Sequence, residues 1–185
     1  MNIKETKPKI YLVSGKARHG KDTFSNYLKE YYEKNGKKVI ITQLAKYIKY
    51  YAKEITGWDL SEETKPRELL QILGTDIIRE KLGKDDLFIR RMIDDIEIFS
   101  CFYDAIIISD VRFKREINDL RDKFNDLVAI NIFRPDFDNG LTEEQKHHKS
   151  EIDLDDYDKF DVKIINTTLE ELEKSAEKVY MEYER

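Results

Sequence analysis

Cysteine is nearly missing from this sequence. The one present, Cys101, can form no internal disulfide and has no thiolate partner for a metal, which fits a reducing compartment and a plain packing role. Histidine is scarce too: among three in all, the adjacent His147 and His148 lack the Cys or further His that a zinc site needs. No apolar run is long enough to span a bilayer, and the polar stretch Met1 to Lys9 leads into one too short for a signal-peptide core. The expectation is a cytoplasmic protein with no membrane partner. An excess of positive charge is also lacking. With 33 Lys and Arg against 38 Asp and Glu, the formal charge of -5 argues against a nucleic-acid polymer as partner, although a local basic cleft stays open.

What is present suffices for one compact domain over residues 1–185, a length at which roughly 70% of the unfolded surface is buried. Hydrophobic residues at 40% supply a core, and 38% charged residues coat it. Short branched runs at Ile10 to Val13, Val39 to Thr42, Ala105 to Ser109, Leu127 to Phe133 and Val162 to Ile165 read as buried strands. Helical spacing recurs between them. Phe24, Tyr27, Leu28 and Tyr31 make one stripe that stops at Asn35-Gly36, and Leu44 to Ile55 makes another. Leu69, Leu70, Leu73 and Ile77 mark a helix from Pro66 to Lys81, and a further one covers Leu87 to Phe99. Polar residues up to Phe124 suggest a helix, and Leu169, Leu172, Ala176 and Val179 line a last one, opened by a Thr168/Glu171 capping box. Strand and helix alternation predicts an α/β fold, a three-layer α/β/α sandwich on a mostly parallel five-stranded sheet. The polar segment 136–152 is long for a connection and reads as a mobile lid insertion.

Gly15-Lys16-Ala17-Arg18-His19-Gly20-Lys21 fits GxxxxGK, placed between a buried strand and a helix as a phosphate-binding loop requires, so the expected fold is that of the P-loop NTPases. Its glycines let the backbone N–H groups turn inward, the helix N-terminus adds partial positive charge, and Lys21 reaches the outer phosphates of ATP. Lys16 and Arg18 belong to the same cradle. The Ser or Thr that commonly follows the lysine is replaced by Asp22, which leaves Thr23 as the favoured hydroxyl for Mg2+. Asp110 ends an apolar strand, where it could hold the metal through water or orient Arg112. Arg112 and Arg134 both follow buried strands, at the sheet edge where α/β ligands bind. With Lys21 they are the expected catalytic cations.

These pieces, in this order, resemble the phage and bacterial deoxynucleoside monophosphate kinases among the adenylate-kinase-like P-loop kinases. The matching stretches are Gly15 to Thr23, Leu70 to Asp76, Asp110 to Phe113, Arg134-Pro135, His148 to Glu151 and Asn166 to Leu172. The resemblance implies γ-phosphoryl transfer from ATP to a dNMP, giving dNDP and ADP, in the cytoplasm (the host's for a phage protein). It leaves a homodimer open. It also makes Asp22 ordinary, since Gly-Lys-Asp-Thr is usual in that family. Asn166 and Thr167 would line the adenine pocket. Gly74, Thr75 and Asp76 would face the acceptor, with Arg67, Gln71 and Arg79 at turn-spaced positions, Lys49 on its phosphate, and His148 and Glu151 also at the substrate. Phe88 lies near a position where relatives carry Trp, so base choice is open. Animal phosphomevalonate kinases are the rival resemblance, and a regulatory P-loop ATPase is the rival class.

Overall fold

The computed structural model describes residues 7–184; most of the polar N-terminal stretch assessed for targeting lies outside them. Five strands form one sheet in the order β2-β3-β1-β4-β5: β1 Lys9–Ser14, β2 Val39–Thr42, β3 Ala105–Val111, β4 Leu127–Phe133 and β5 Val162–Ile165. Every described pairing is parallel, so the sheet is more uniform than the sequence suggested.

Parallel neighbours need crossover helices, and these bury both faces. β1 alternates accordingly. Tyr11 and Val13 point to the layer of α1 (Lys21–Lys34) and α8 (Leu169–Tyr183). Ile10 and Leu12 point to the layer of α2 (Lys46–Thr56), α4 (Leu87–Phe99) and α5 (Lys114–Lys123). Tyr32 is the most buried tyrosine of α1; its hydroxyl meets that of Tyr11 at 2.7 Å, which satisfies both in a dry layer. Trp58, just past α2, buries its ring and donates from Nε1 to the Ser61 carbonyl at 3.1 Å.

Three expectations change in detail. The helix read from Pro66 to Lys81 is α-helical only over α3 (Arg67–Gln71) and then widens into a π-helical segment, Ile72–Lys81. The segment 136–152, expected as a mobile lid insertion, carries two short helices, α6 (Glu143–Lys146) and α7 (Lys149–Ile152). The capping box of α8 is half made: Thr168 accepts from the Glu171 N–H at 3.2 Å, while the Glu171 carboxylate binds the Thr167 hydroxyl instead. No described helix is long and apolar enough to cross a membrane.

Candidate active site

The loop after β1 is shaped by two glycines at positive φ, where a side chain would be strained. At Gly15, φ is 145° and a Cβ would strike the Ile132 carbonyl; at Gly20, φ is 99° and a Cβ would sit 2.5 Å from Asn166 Nδ2. Lys21 folds back over the cradle, donating to the carbonyls of Gly15 at 2.9 Å and Lys16 at 2.8 Å. Burial pushes its ammonium down to about 7; Arg112 adds to the shift, and Glu151 opposes it. His19 is buried under the loop, where its Nδ1 accepts the Arg134 N–H at 3.1 Å. Burial, then Lys21, lowers its pKa.

A cavity of about 300 Å³ opens beside this cradle, toward α2, α3, the π segment and α4. It brings together Arg18, Lys21, Asp22, Lys49, Arg67 and Gln71 with Gly74, Thr75, Arg79, Asp110, Arg112 and Glu151. Those are twelve of the residues singled out in the sequence, drawn from segments far apart in the chain. β3 reaches the cavity through a register shift, with Leu12 opposite Ile108 but Ser14 opposite Val111. A bulge of this kind re-aims a side chain at a strand end. Here it falls at Ser109 and Asp110, both of which line the cavity.

Asp110 does not bond Arg112. Its two oxygens accept the N–H groups of Leu44 at 2.7 Å and Ala45 at 2.9 Å, so it ties β3 to the start of α2. Burial raises its pKa, and those two N–H groups counter the rise. Arg112 instead binds Glu151 at 2.8 Å, and Glu151 also takes the Ala17 N–H of the loop at 3.1 Å. Lys49 is held by Gln43, with its pKa lowered chiefly by burial, against the pull of Asp110. Arg67 pairs with Glu62.

Gly74 lines the cavity and also lies within the π segment, against α2. A Cβ there would lie 2.8 Å from Ile48 Cδ1, so the glycine admits α2 against the wide turn. Arg79 donates back to the Gly74 carbonyl at 2.7 Å and to Glu116 at 2.8 Å, with its guanidinium over the rings of Phe113 (4.2 Å) and Phe88 (5.3 Å). Thr75 is buried beside it.

Other expected residues lie elsewhere. Thr23 lines none of the described cavities, whereas Asp22 lines the one beside the cradle. Asp76 is exposed, 3.9 Å from His148 Nε2, and His148 caps α7 through Ser150; neither reaches that cavity. Gly15 and Lys16 border a second hollow, of about 280 Å³. Arg134 lies over the Phe137 ring at 3.9 Å, also off the cavity beside the cradle. Asn166 is buried and donates to the His19 carbonyl at 3.0 Å, propping the loop, and Thr167 is at the surface.

Glu116 is the residue the sequence reading missed. Fully enclosed, it accepts from Arg79 and from the N–H groups of Arg112 at 2.8 Å and Phe113 at 3.0 Å. Its spacing was a signal, since a Glu three residues into a helix reaches back to the N-cap. Burial pushes its carboxyl up to about 7, against Arg79.

A parallel sheet of this strand order, with a glycine cradle on the central strand and a cationic cavity beside it, defines a P-loop kinase. Two solved structures share the architecture. The APS kinase of Mycobacterium tuberculosis, in complex with AMPPNP and APS, superposes with a TM-score of 0.56 at 9% identity, over 95% of this chain and 97% of that one. A Janibacter sugar kinase gives 0.56 at 12% identity, over 95% of each chain. The family model for deoxynucleotide monophosphate kinases matches residues 52–176, more than half the chain, and the protein belongs to that family. It is therefore a phosphotransferase, a nucleotide kinase. The match starts beyond the phosphate loop, so the cradle is independent support. No curated protein sequence is a significant match.

Proposed function

We propose that the protein transfers the γ-phosphoryl group of ATP to a deoxynucleoside monophosphate, releasing dNDP and ADP. One observation carries the reading. The cavity that Lys21 and Arg112 border beside the loop is also lined by Lys49, Arg67 and Arg79, so a polyphosphate tail and a monophosphate can meet there. Lys21 and Arg112 would surround the moving phosphoryl, where charge spreads over its oxygens. The apolar wall of Ile48, Leu70, Phe88 and Phe113 suits a flat base, with Gln71 and Thr75 available for its polar edge.

Magnesium fits the oxygens present. Asp22 is exposed at the cavity, and Asp110 keeps lone pairs beyond its two backbone bonds. The ion would neutralise phosphate charge, arriving with the nucleotide and retaining waters, so one carboxylate and water-bridged help are enough. Thr23 is less favoured than Asp22 on this placement. We take the chain as one kinase domain, with 136–152 as the lid that excludes water. Arg134, at the base of that lid, serves the donor side.

A coupled ADP assay with ATP, magnesium and each of dCMP, dGMP, dTMP and dAMP tests the reaction. Turnover is expected only when an acceptor is supplied. ADP formation without one would favour a regulatory ATPase, and turnover on phosphomevalonate alone would favour that rival.

A further inference from the structure

Glu151 stands where an anion belongs. Its Oε2 accepts the Ala17 N–H of the phosphate loop at 3.1 Å, its Oε1 accepts from Arg112 at 2.8 Å, and the side chain is 8% exposed. It also acts on the buried ammonium of Lys21. A loop N–H, a guanidinium and an ammonium converging on one point are the donors that the end of a triphosphate would use. One carboxylate now bridges the first two. The segment that carries it is fastened to the same loop twice more, by Lys16 to Asp155 at 3.0 Å and by Arg18 to the Asn139 carbonyl at 3.1 Å.

We infer that Glu151 is a surrogate for the terminal phosphate, and that it sets how strongly the cleft discriminates between tri- and diphosphate. The inference rests on the kinase reading above. Like charges at contact distance in a poorly solvated pocket repel strongly, so a γ-phosphate and Glu151 exclude each other from Ala17 and Arg112. A triphosphate has to expel the carboxylate. A diphosphate, which ends one phosphate earlier, leaves it seated. Glu151 thus lowers affinity for ATP relative to ADP, and it keeps Arg112 neutralised until a γ-phosphate arrives.

Calorimetric titration of AMPPNP and of ADP, each with magnesium, into wild type, Glu151→Gln and Glu151→Ala tests this. The glutamine keeps the shape and an acceptor for Ala17 but loses the charge held by Arg112. AMPPNP is expected to bind roughly tenfold tighter to both variants, the scale of one charge-assisted bond, with ADP changing less than about twofold. Weaker AMPPNP binding, or an equal shift for both nucleotides, would make Glu151 a substrate ligand and overturn the inference. Amide exchange of residues 149–152 in the wild type checks the point without a variant. Faster exchange with AMPPNP than with ADP supports expulsion; equal or slower exchange refutes it. If wild type binds neither nucleotide, the kinase reading itself fails, which is a different result from either.

Discussion

The two sides of the cleft are built on different plans. On the side proposed for the acceptor, α2, α3, the π segment and the ends of β3 and α4 send side chains into one cavity. On the side proposed for the donor, two residues expected at the nucleotide are engaged within the protein: Asn166 props the loop from below, and Arg134 stacks on Phe137. On the proposed reading the difference follows from what would be gripped. A phosphate tail is held largely by backbone N–H groups, so the nearby side chains have to fix the shape of the backbone. A small acceptor has to be read by side chains, so these point inward.

Lys21, with Arg18 and Asp22, carries the phosphate loop into that cavity, and Lys21→Ala is the largest expected break. Its proposed role is local and electrostatic, so kcat is expected to fall roughly 10² to 10³-fold while the circular dichroism spectrum is unchanged. A variant with near-normal turnover would remove Lys21 from the chemistry.

Exchanging each arginine for lysine sharpens the contrast. Arg112→Lys loses the planar fork inside the cavity and is expected to cut kcat about tenfold or more. Arg134→Lys, outside it, is expected to act mainly on the KM for ATP, with a smaller loss in kcat. Equal kcat losses would mean that Arg134 swings into the reaction centre when the lid closes.

A support and a contact also differ in what their removal does. Asn166→Ala strips the His19 carbonyl of its buried partner, and urea unfolding is expected to report a loss of about 1–3 kcal/mol. Thr167→Ala, at the surface, is expected to stay within about 0.5 kcal/mol. If Thr167→Ala raised the KM for ATP while Asn166→Ala spared stability, the supporting role would pass to the wrong residue and the contrast would fail.

Much of this was legible in the chain because it depends on local spacing. Five apolar runs separated by helical periods dictate a parallel sheet, and GxxxxGK between the first strand and helix dictates the cradle. The arginine after β3 is readable from the rule that ligands meet α/β sheets at strand ends. Less was legible where geometry depends on packing between distant elements. Gly74 was placed at the acceptor, but only the structure shows that it lies in a π-helical segment with Ile48 packed against it. Asp110 was open to a bond with Arg112 because nothing local says that the N–H groups of Leu44 and Ala45 will engage both its oxygens. Glu116 was passed over since its partner Arg79 lies 37 positions away and on another helix.

Glu116 offers the finest test, because it belongs to the wall of the cavity rather than to the cradle. Its carboxyl is raised from 4.5 to about 7 by burial, against the pull of Arg79. Between those two values the folded protein holds a proton that the unfolded chain has released. The carboxyl's contribution to stability is therefore complete below about 4.5 and is lost as pH rises through about 7. Glu116→Gln cannot titrate and keeps an acceptor for the Arg112 and Phe113 N–H groups. Across this window the wild type is expected to lose on the order of 1–3 kcal/mol more than the variant in urea unfolding. Asp110, also raised by burial, leaves a residual slope in both proteins, so the difference between the two slopes is the readout. Parallel slopes would mean that Arg79 keeps Glu116 ionised throughout, and that this part of the cavity wall is a permanent ion pair.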